Sequence, residues 1–199
     1  MIFVKSSRSA QRVFESVQRY VTQTLKLVVN QTKSRVTVAE GCEFLGFAFV
    51  SGRRATIKVA PKKLKAFKRR VKKLTGRSRG ISMKRRLTDL NRYVRGWIGY
   101  FGLARQFDTF VGLDGWIRRR VRMCYWKQWR YPRTKVKRLR KLGVNLDWAI
   151  KHAVSRKGYW RMSRSPALRT GMSTKWPEQQ GLLSLKQLWG ALAPLRGIA

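Results

Sequence analysis

Residues 82–129 constrain the fold most strongly, because two helical patterns of apolar residues follow one another there across a short break. Apolar residues recur every three or four positions from Met83 to Phe101, which places them on one side of an amphipathic helix. Ser82 is suited to cap the start of this helix. A second helix is predicted to begin near Asp108. Its core face is predicted to comprise Phe110, Leu113, Ile117, Val121 and Cys124.

The charge of the chain restricts the partners that it can have. It contains 47 Lys and Arg residues against 8 Asp and Glu, a formal net charge of +39 over 199 residues. Such an excess favours a polyanionic partner, first nucleic-acid phosphates and second a membrane surface. No apolar run is long enough to span a bilayer and no signal-peptide pattern opens the chain, so a cytoplasmic protein without a membrane partner is expected. A hydrophobic content of 43% predicts a folded core.

The apolar pattern changes character near Pro61, which predicts a boundary there. Before it we expect a helix from Ser9, strands at residues 1–5 and 25–29, and a hairpin of residues 44–50 and 54–60 that turns at Ser51 and Gly52. After it the strand signals nearly vanish. The predicted fold class is α+β, a short α/β segment followed by a predominantly α-helical basic region.

The helix predicted at residues 62–74 is basic on every side except its apolar one. No carboxylate occurs between Glu43 and Asp89, so intrahelical salt bridges cannot account for these charges, and contact with phosphates is favoured. The second central helix carries arginines opposite its core face, together with Trp126. We expect those arginines to take phosphates and Trp126 to stack on a base or ribose; the alternative for Trp126 is packing beneath the downstream helices. For Trp160, in a basic loop, base stacking and closure of a local core are both open.

The residues predicted to bind RNA are Lys63, Lys65, Arg69, Arg70, Lys73, Arg77, Arg79, Arg85, Arg95, Arg119, Arg122, Trp126, Arg130, Arg133, Lys135, Lys137, Arg156, Lys157, Trp160 and Arg161.

Recognisable catalytic and metal-binding motifs are missing from the sequence. The eight carboxylates are scattered over different predicted elements, whereas a two-metal nucleotidyl-transfer site needs carboxylates held together. Asp108 and Asp114 are attributed to the dipole at a helix start. Cys42, Cys124 and His152 do not have the spacing of a zinc motif. We therefore predict no catalytic residue, metal site, cofactor or small-molecule substrate in this chain.

Four short motifs lie at residues 30–34 (NQTKS), 44–47 (FLGF), 90–101 (LNRYVRGWIGYF) and 113–117 (LDGWI). Together they resemble the bacterial group II intron reverse transcriptase/maturase family, most specifically at residues 90–129. The resemblance implies that residues 1–60 are the C-terminal part of a reverse-transcriptase palm, residues 61–130 a helical thumb, and residues 131–199 a maturase-specific RNA-binding region. It implies a strand near the primer grip and a structural motif in the thumb. The strand comprises Phe44, Leu45, Gly46 and Phe47, and the motif comprises Asn91, Gly96, Trp97, Tyr100, Phe101 and Trp116.

The resemblance also implies a function in RNA binding. In that family a Tyr-x-Asp-Asp motif immediately precedes a strand like residues 2–5, and this chain begins just after that point. A full-length relative would use Mg²⁺, whereas we do not expect this chain alone to be an enzyme. The expected function is that of a maturase fragment that binds intron RNA and assists splicing by stabilising folded RNA. Three alternatives stay open: one half of a split RNA-directed DNA polymerase that pairs with a separate N-terminal polypeptide, a decayed fragment without function, and a general basic RNA-binding protein.

Overall fold

The computed structural model describes residues 1–50 and 56–196, and the chain divides into two compact units, residues 1–58 and residues 59–199. The boundary expected near Pro61 lies beside this division. The predicted α+β class, predominantly helical, is confirmed: the described residues form one three-stranded sheet and ten α-helices. The turn predicted at Ser51 and Gly52 lies outside the described residues.

The described residues of the first unit form one α-helix, a short 3₁₀ helix (Ala39–Gly41) and most of the sheet. Helix α1 (Ser7–Gln23) begins where the hydroxyl of Ser6 accepts a hydrogen bond from the Ser9 N–H at 3.2 Å. Strands β1 (Glu43–Phe44), β2 (Phe47–Val50) and β3 (Thr56–Val59) follow, with β2 in the middle of the sheet. None of residues 1–40, 42–50 and 56–58 is buried. The described part of this unit therefore encloses no core of its own.

Two features of the first unit differ from expectation. Residues 1–5 and 25–29 are not strands. The segment predicted as one strand at residues 44–50 is a tight hairpin, in which Phe44 of β1 lies opposite Phe47 of β2. The chain reverses at Leu45 and Gly46, whose φ angles are 51° and 85°. Positive φ at both central residues is typical of the turn that best joins twisted antiparallel strands, so the strand implied near a primer grip is a turn instead.

The second unit is helical. Its helices are α2 (Pro61–Leu74), α3 (Met83–Phe101), α4 (Phe107–Gln128), α5 (Pro132–Lys141), α6 (Leu146–Ala153), α7 (Tyr159–Met162), α8 (Pro166–Gly171), α9 (Trp176–Gln179) and α10 (Leu185–Ala191). The hydroxyl of Ser82 caps α3 by accepting from the Arg85 N–H at 3.2 Å. Gly143, with a φ of 80°, lies just beyond the end of α5, and the side chain of Asn145 caps α6.

Helices α2, α3, α4 and α10 enclose a first core around Trp97. The centroid of its ring lies 4.2 Å from that of Phe67, 5.0 Å from Phe101 and 6.1 Å from Phe110. Phe110 in turn stacks on Trp189 of α10 at 5.6 Å. The core faces predicted for the two central helices are confirmed. Their buried residues include Met83, Leu87, Leu90, Val94, Trp97, Phe101, Phe110, Leu113, Ile117, Val121 and Cys124.

A second core lies at the other end of α4. It contains Trp126, Trp129, Leu139, Val144, Ala149, Met162, Ala167, Leu168 and Met172, which come from α4, α5, α6, α7, α8 and their connections. Helix α4 therefore contributes to both cores. None of residues 116–126 is exposed, so α4 has no solvent face over this length.

Hydrogen bonds join the C-terminal segment up to the start of α10 to side chains of α3 and α4. The side-chain amide of Asn91 donates to the carbonyl oxygen of Gly181 at 2.6 Å and accepts from the Leu183 N–H at 3.0 Å. Asp114, buried in α4, accepts from the Leu185 N–H at 2.7 Å. These contacts fix the start of α10 against the two longest helices of the chain.

Candidate nucleic-acid interface

Helix α2 presents a continuous basic surface. Phe67, Val71 and Leu74 are buried on one side, so the basic residues occupy the remaining sides. The predicted RNA-binding residues Lys63, Lys65, Arg69, Arg70 and Lys73 are all exposed. None of them is in an ion pair within the described residues, where every ion pair involves an arginine of a later segment. Exposed like charges on one helix repel each other, so an anionic partner would stabilise α2.

The segment after α2 has one carboxylate that neutralises part of its charge. Asp89 of α3 lies 3.1 Å from Arg85 and 4.0 Å from Arg79. Arg79 also donates to the carbonyl oxygen of Leu74, close to the end of α2, at 2.9 Å. Arg95 is exposed further along α3. Arg79 and Arg85 are therefore weaker candidates for phosphate contact than the residues of α2.

Cations from three elements meet around Tyr159 at the start of α7. The centroid of its ring lies 5.3 Å from the guanidinium of Arg77, 5.1 Å from the ammonium of Lys127 and 6.0 Å from that of Lys135. Arg156, Lys157 and Arg161 are exposed on the same segment. We call this the Tyr159 surface: Arg77, Lys127, Arg156, Lys157, Tyr159 and Arg161. An aromatic ring among cations combines the two contacts by which proteins hold single-stranded nucleic acid.

The arginines in the middle of α4 contact protein. Arg119 donates to the carbonyl oxygen of Trp160 at 3.1 Å, and its guanidinium lies 3.7 Å from the centroid of the Trp160 ring. Arg120 donates to the hydroxyl of Thr75 and to the carbonyl oxygen of Lys72, the latter at 3.3 Å. Burial lowers the pKa of both guanidinium groups. On the face of α4 expected to meet RNA, Arg119 is thus engaged by the segment that contains α7 and covers one face of Trp160. Arg120, which was not among the predicted RNA-binding residues, bonds the end of α2.

The prediction that Trp126 stacks on a base or ribose of RNA is wrong. Only 2% of it is exposed, and its ring packs edge-on against Trp129 with centroids 6.2 Å apart. A side chain enclosed in this way cannot stack on a base, so the alternative, packing beneath the downstream helices, is the observed arrangement. Lys135 is also buried, with its ammonium 4.7 Å from the centroid of the Trp126 ring, which leaves little of it for a phosphate. Arg130, Arg133 and Lys137 are exposed nearby, whereas Arg122 is half-buried.

Among residues 1–50 and 56–196, no three His, Cys, Asp or Glu residues are grouped so that they could hold a metal ion. No helix in the same ranges is both long and apolar enough to cross a membrane.

The helices that carry most of these basic residues correspond to a known domain. Residues 64–143 match the family described as the group II intron, maturase-specific domain. This match, over 80 of the 199 residues, relates the chain to group II intron maturases. No curated protein matches the chain. The family match covers most of the segment expected to be the thumb, and it reaches only residue 143 of the segment expected to be maturase-specific.

The maturase-specific domain contains most of the predicted RNA-binding residues but not the Tyr159 surface as a whole. It runs from α2 to the turn after α5, and α7 lies beyond its end. Arg119 and Lys135, both inside the domain, bind the segment that contains α7. This domain is a maturase-specific one and not a catalytic polymerase domain.

The structural motif implied by the resemblance lies inside the maturase-specific domain. Trp97 and Phe101 are buried in the first core, and Asn91 holds the returning C-terminal segment. Trp116 is half-buried, 5.6 Å from the guanidinium of Arg120. The remaining two are exposed: Gly96 has no described atom within 4 Å of the place where a Cβ would lie, and Tyr100 packs edge-on against Phe101.

Sequence reasoning missed an ionic network that joins the maturase-specific domain to the C-terminal segment. Arg118 forms ion pairs with Asp114 and with Glu178, the latter at 3.1 Å. Burial raises the pKa of Asp114, while Arg118 and the Leu185 N–H favour its charged form. Asp114 lies seven residues after Phe107, the first residue of α4, so its attribution to the helix dipole was wrong, whereas Asp108 does lie in the first turn. The sequence did contain a signal of this network: Asp114 lies between two predicted core residues, Leu113 and Ile117.

Proposed function

We propose that this maturase-related chain binds folded group II intron RNA and assists splicing by stabilising that fold. The observation that carries the proposal is the exposed basic surface of α2. Most of α2 lies in the maturase-specific domain, and its cations have no ion-pair partner in the described residues. The phosphates of a compactly folded RNA lie close together and repel each other. Lysines and arginines bound to these phosphates reduce the repulsion and release the counterions that were condensed on the RNA.

Two further groups extend the proposed RNA-binding surface. Helix α5 contributes the exposed Arg133 and Lys137. The Tyr159 surface adds a half-buried aromatic ring, which can stack on an unpaired base at the edge of a helix of RNA. In this proposal the chain provides cations and one ring, and covalent chemistry is left to the RNA.

Affinity measured at several salt concentrations tests the proposal. The purified chain is titrated with a group II intron RNA from the same genome and with an unrelated structured RNA of the same length. About six to ten phosphate contacts would reduce the affinity ~10³- to 10⁵-fold between roughly 50 and 200 mM salt. We expect the intron RNA to bind more tightly at every salt concentration. Equal affinity for the two RNAs would instead support a general basic RNA-binding protein.

We propose as a second candidate that residues 1–58 pair with a separate reverse-transcriptase polypeptide. The observation that favours it is the exposure of apolar side chains in the first unit, among them Ile2 (62%), Phe3 (64%) and Val28 (97%). An open groove of about 1130 Å³ runs between α1 and the extended segments on either side of it. Apolar surface of this kind is typical of a contact with another protein.

Pull-down followed by primer extension tests the second candidate. The tagged chain should retain a polypeptide that carries a paired-aspartate motif, and the pair together should extend a primer on an RNA template in a Mg²⁺-dependent reaction. The chain alone is expected to extend none, because its carboxylates lie on different elements. Extension by the chain alone would contradict both proposed roles.

A further inference from the structure

An open pocket lies at the start of α6, and we call it the α6 pocket. Its volume is about 540 Å³, within the roughly 300–1,000 Å³ of pockets that hold small molecules. It is lined by the connection from α5, the first turn of α6 and the end of α8, through Gly143, Val144, Asn145, Asp147, Trp148 and Thr170. Only Val144 among these six is buried. The pocket is therefore accessible from solvent, and all of its lining residues except Gly143 lie beyond the segment that matches the maturase-specific domain.

Trp148 provides an indole that the protein itself leaves largely uncovered. It is 48% exposed, whereas α6 buries Ala149 and Ala153. Burial of a Trp side chain normally contributes strongly to a core, so exposing the indole and burying two alanines is unusual. The ring of His152 lies beside the indole with centroids 6.1 Å apart, but the two planes are tilted by 44° and the rings do not stack. The indole is thus able to stack on a planar ligand in the pocket.

The pocket also contains a carboxylate, in a chain that has only 8 Asp and Glu residues. Asp147 is exposed, and within residues 1–50 and 56–196 it forms no ion pair. Its place in the first turn of α6 suits the helix dipole, which accounts for its charge but not for the pocket or the indole beside it. The Asp147 N–H donates to Oδ1 of Asn145 at 2.9 Å. What Asn145 can offer a ligand is therefore the NH₂ group of its side chain.

These groups match the Watson–Crick edge of guanine. That edge carries two adjacent donors, N1–H and the N2 amino group, and one acceptor, O6. A carboxylate can accept from both donors at once, and the Watson–Crick edges of adenine, cytosine and uracil do not present such a pair. The Asn145 NH₂ group or the Thr170 hydroxyl can donate to O6. Proteins read unstacked bases in this way, with hydrogen bonds to the Watson–Crick edge and an aromatic ring against the face of the base.

We propose that the α6 pocket binds an unpaired guanine, with the indole of Trp148 against the base and the carboxylate of Asp147 accepting from N1–H and the amino group. The guanine can belong to a nucleotide of RNA or to a free guanine nucleotide. The RNA source rests on the proposed function, whereas the free-nucleotide source does not. In the RNA case the pocket adds selectivity for a base, which cations on phosphates do not provide.

Equilibrium dialysis of the full chain against GMP and against AMP tests the pocket without RNA. The two nucleotides carry the same charge, so the attraction of their phosphates to a basic protein cancels in the ratio of the dissociation constants. We expect GMP to bind roughly 5- to 150-fold more tightly, the discrimination that one bidentate pair gives. Asp147→Asn should abolish this preference, because an amide cannot accept from both donors. Trp148→Ala should weaken both nucleotides roughly 5- to 150-fold and keep their order, because the indole contacts the face of either base.

The matched control is Asp108→Asn. Asp108 is also an exposed carboxylate in the first turn of a helix, α4, but it does not line the pocket. This variant should keep the full preference for GMP. All three substituted residues are exposed, so the variants should stay folded. Equal or undetectable binding of GMP and AMP by wild type would overturn the pocket, and so would an unchanged preference in Asp147→Asn.

A pair of hairpin RNAs identifies the source of the guanine. The two RNAs differ in one bulged nucleotide, which is G in one and A in the other. If the pocket takes a guanine of RNA, wild type should prefer the G hairpin and Asp147→Asn should bind the two equally. If wild type does not distinguish the hairpins while its preference for GMP persists, a free guanine nucleotide is the ligand. Failure of wild type to bind intron RNA, together with an intact preference for GMP, would refute the proposed function and leave the guanine pocket standing.

Discussion

Replacing Trp126 by alanine should destabilise the chain without weakening its contacts with RNA. The indole is enclosed by the second core, and removal of a large buried aromatic side chain typically costs about 3–5 kcal/mol. Urea denaturation at neutral pH measures the loss. Below the transition, the salt dependence of RNA binding should match that of wild type, because the ring is not at the surface.

Trp148→Ala is the matched control for this prediction. Trp148 is 48% exposed on α6, so its removal should change stability by about 0.5 kcal/mol or less. Equal stability of the two variants would show that the second core does not enclose Trp126 in solution. Loss of RNA affinity by a fully folded Trp126→Ala chain would restore the stacking role that its burial excludes.

The two cysteines should differ sharply in reactivity. Cys124 is buried, and burial raises its pKa above the ordinary value of 9.0, while Arg86 and Arg120 act in the opposite direction. Cys42 is half-buried in the first unit. Iodoacetamide at pH 8, followed by peptide mass spectrometry, should label Cys42 first and Cys124 only under unfolding conditions. Comparable labelling of both in the folded chain would contradict this.

The same pKa shift gives a pH dependence of stability with a definite sign. In the unfolded chain Cys124 releases its proton near pH 9.0, whereas in the folded chain it keeps it to a higher pH. The contribution of the protonated Cys124 thiol to the free energy of unfolding is therefore fully present below pH 9.0. It is lost as the pH rises through the raised pKa of the folded chain. Wild type should lose stability relative to Cys124→Ala over that alkaline range. A difference that is constant with pH would refute the shift.

At the scale of the element, the cations of α2 and those of α4 should behave in opposite ways. The variant Lys63→Gln/Arg69→Gln/Lys73→Gln removes three exposed charges without ion-pair partners in the described residues. Its thermal midpoint should stay nearly unchanged, and its salt slope for intron RNA should fall by roughly 2–3. Filter binding at five salt concentrations, with a thermal melt of each protein, measures both.

The variant Arg120→Gln, on α4, is compared with this triple variant of α2. Arg120 bonds Thr75 and the carbonyl oxygen of Lys72, so its loss should lower the thermal midpoint, because the end of α2 loses its donors. Its salt slope should stay close to that of wild type. If the α2 variant unfolds early and keeps its slope, the basic surface of α2 is structural and the proposed interface is wrong.

The elements differ in how far sequence could predict them. The core faces of α3 and α4 follow from apolar spacing, which one-sided burial imposes on a helix. The packing of the second face of α4 could not be decided from sequence because its partners lie far along the chain: Arg119 binds the carbonyl oxygen of Trp160, 41 residues away. Charge alone could not separate Arg119 from Lys63, since both are cations on predicted helices and only packing removes one from solvent. Similarly, the turn at Leu45 was hidden because leucine rarely adopts positive φ.

At the scale of the whole molecule, a chain ending at residue 143 should fail to fold cooperatively. That end point retains the maturase-specific domain but removes α6 to α10. Trp126, Leu139 and Asp114 would all be uncovered, the first two by loss of the second core and Asp114 by loss of the Leu185 N–H. Near-ultraviolet circular dichroism and calorimetry should show no sharp transition in the shortened chain.

The full chain is the reference for that measurement. We expect a single cooperative transition from residues 59–199, because α4 belongs to both cores. A sharp transition in the shortened chain would show that the family-matched segment folds by itself. Absence of a transition in the full chain would instead favour the decayed-fragment alternative.

The enclosure of α4 also sets how freely its sequence can vary. No residue from Trp116 to Trp126 is exposed, whereas most positions of α2 are exposed. In a library of random substitutions selected for folded protein, residues 116–126 should tolerate almost no replacement, and the exposed positions of α2 should accept most polar residues. The positions with the lowest mutational tolerance should then be those of α4 that lie between the two cores. Equal tolerance in the two helices would show that α4 is not enclosed.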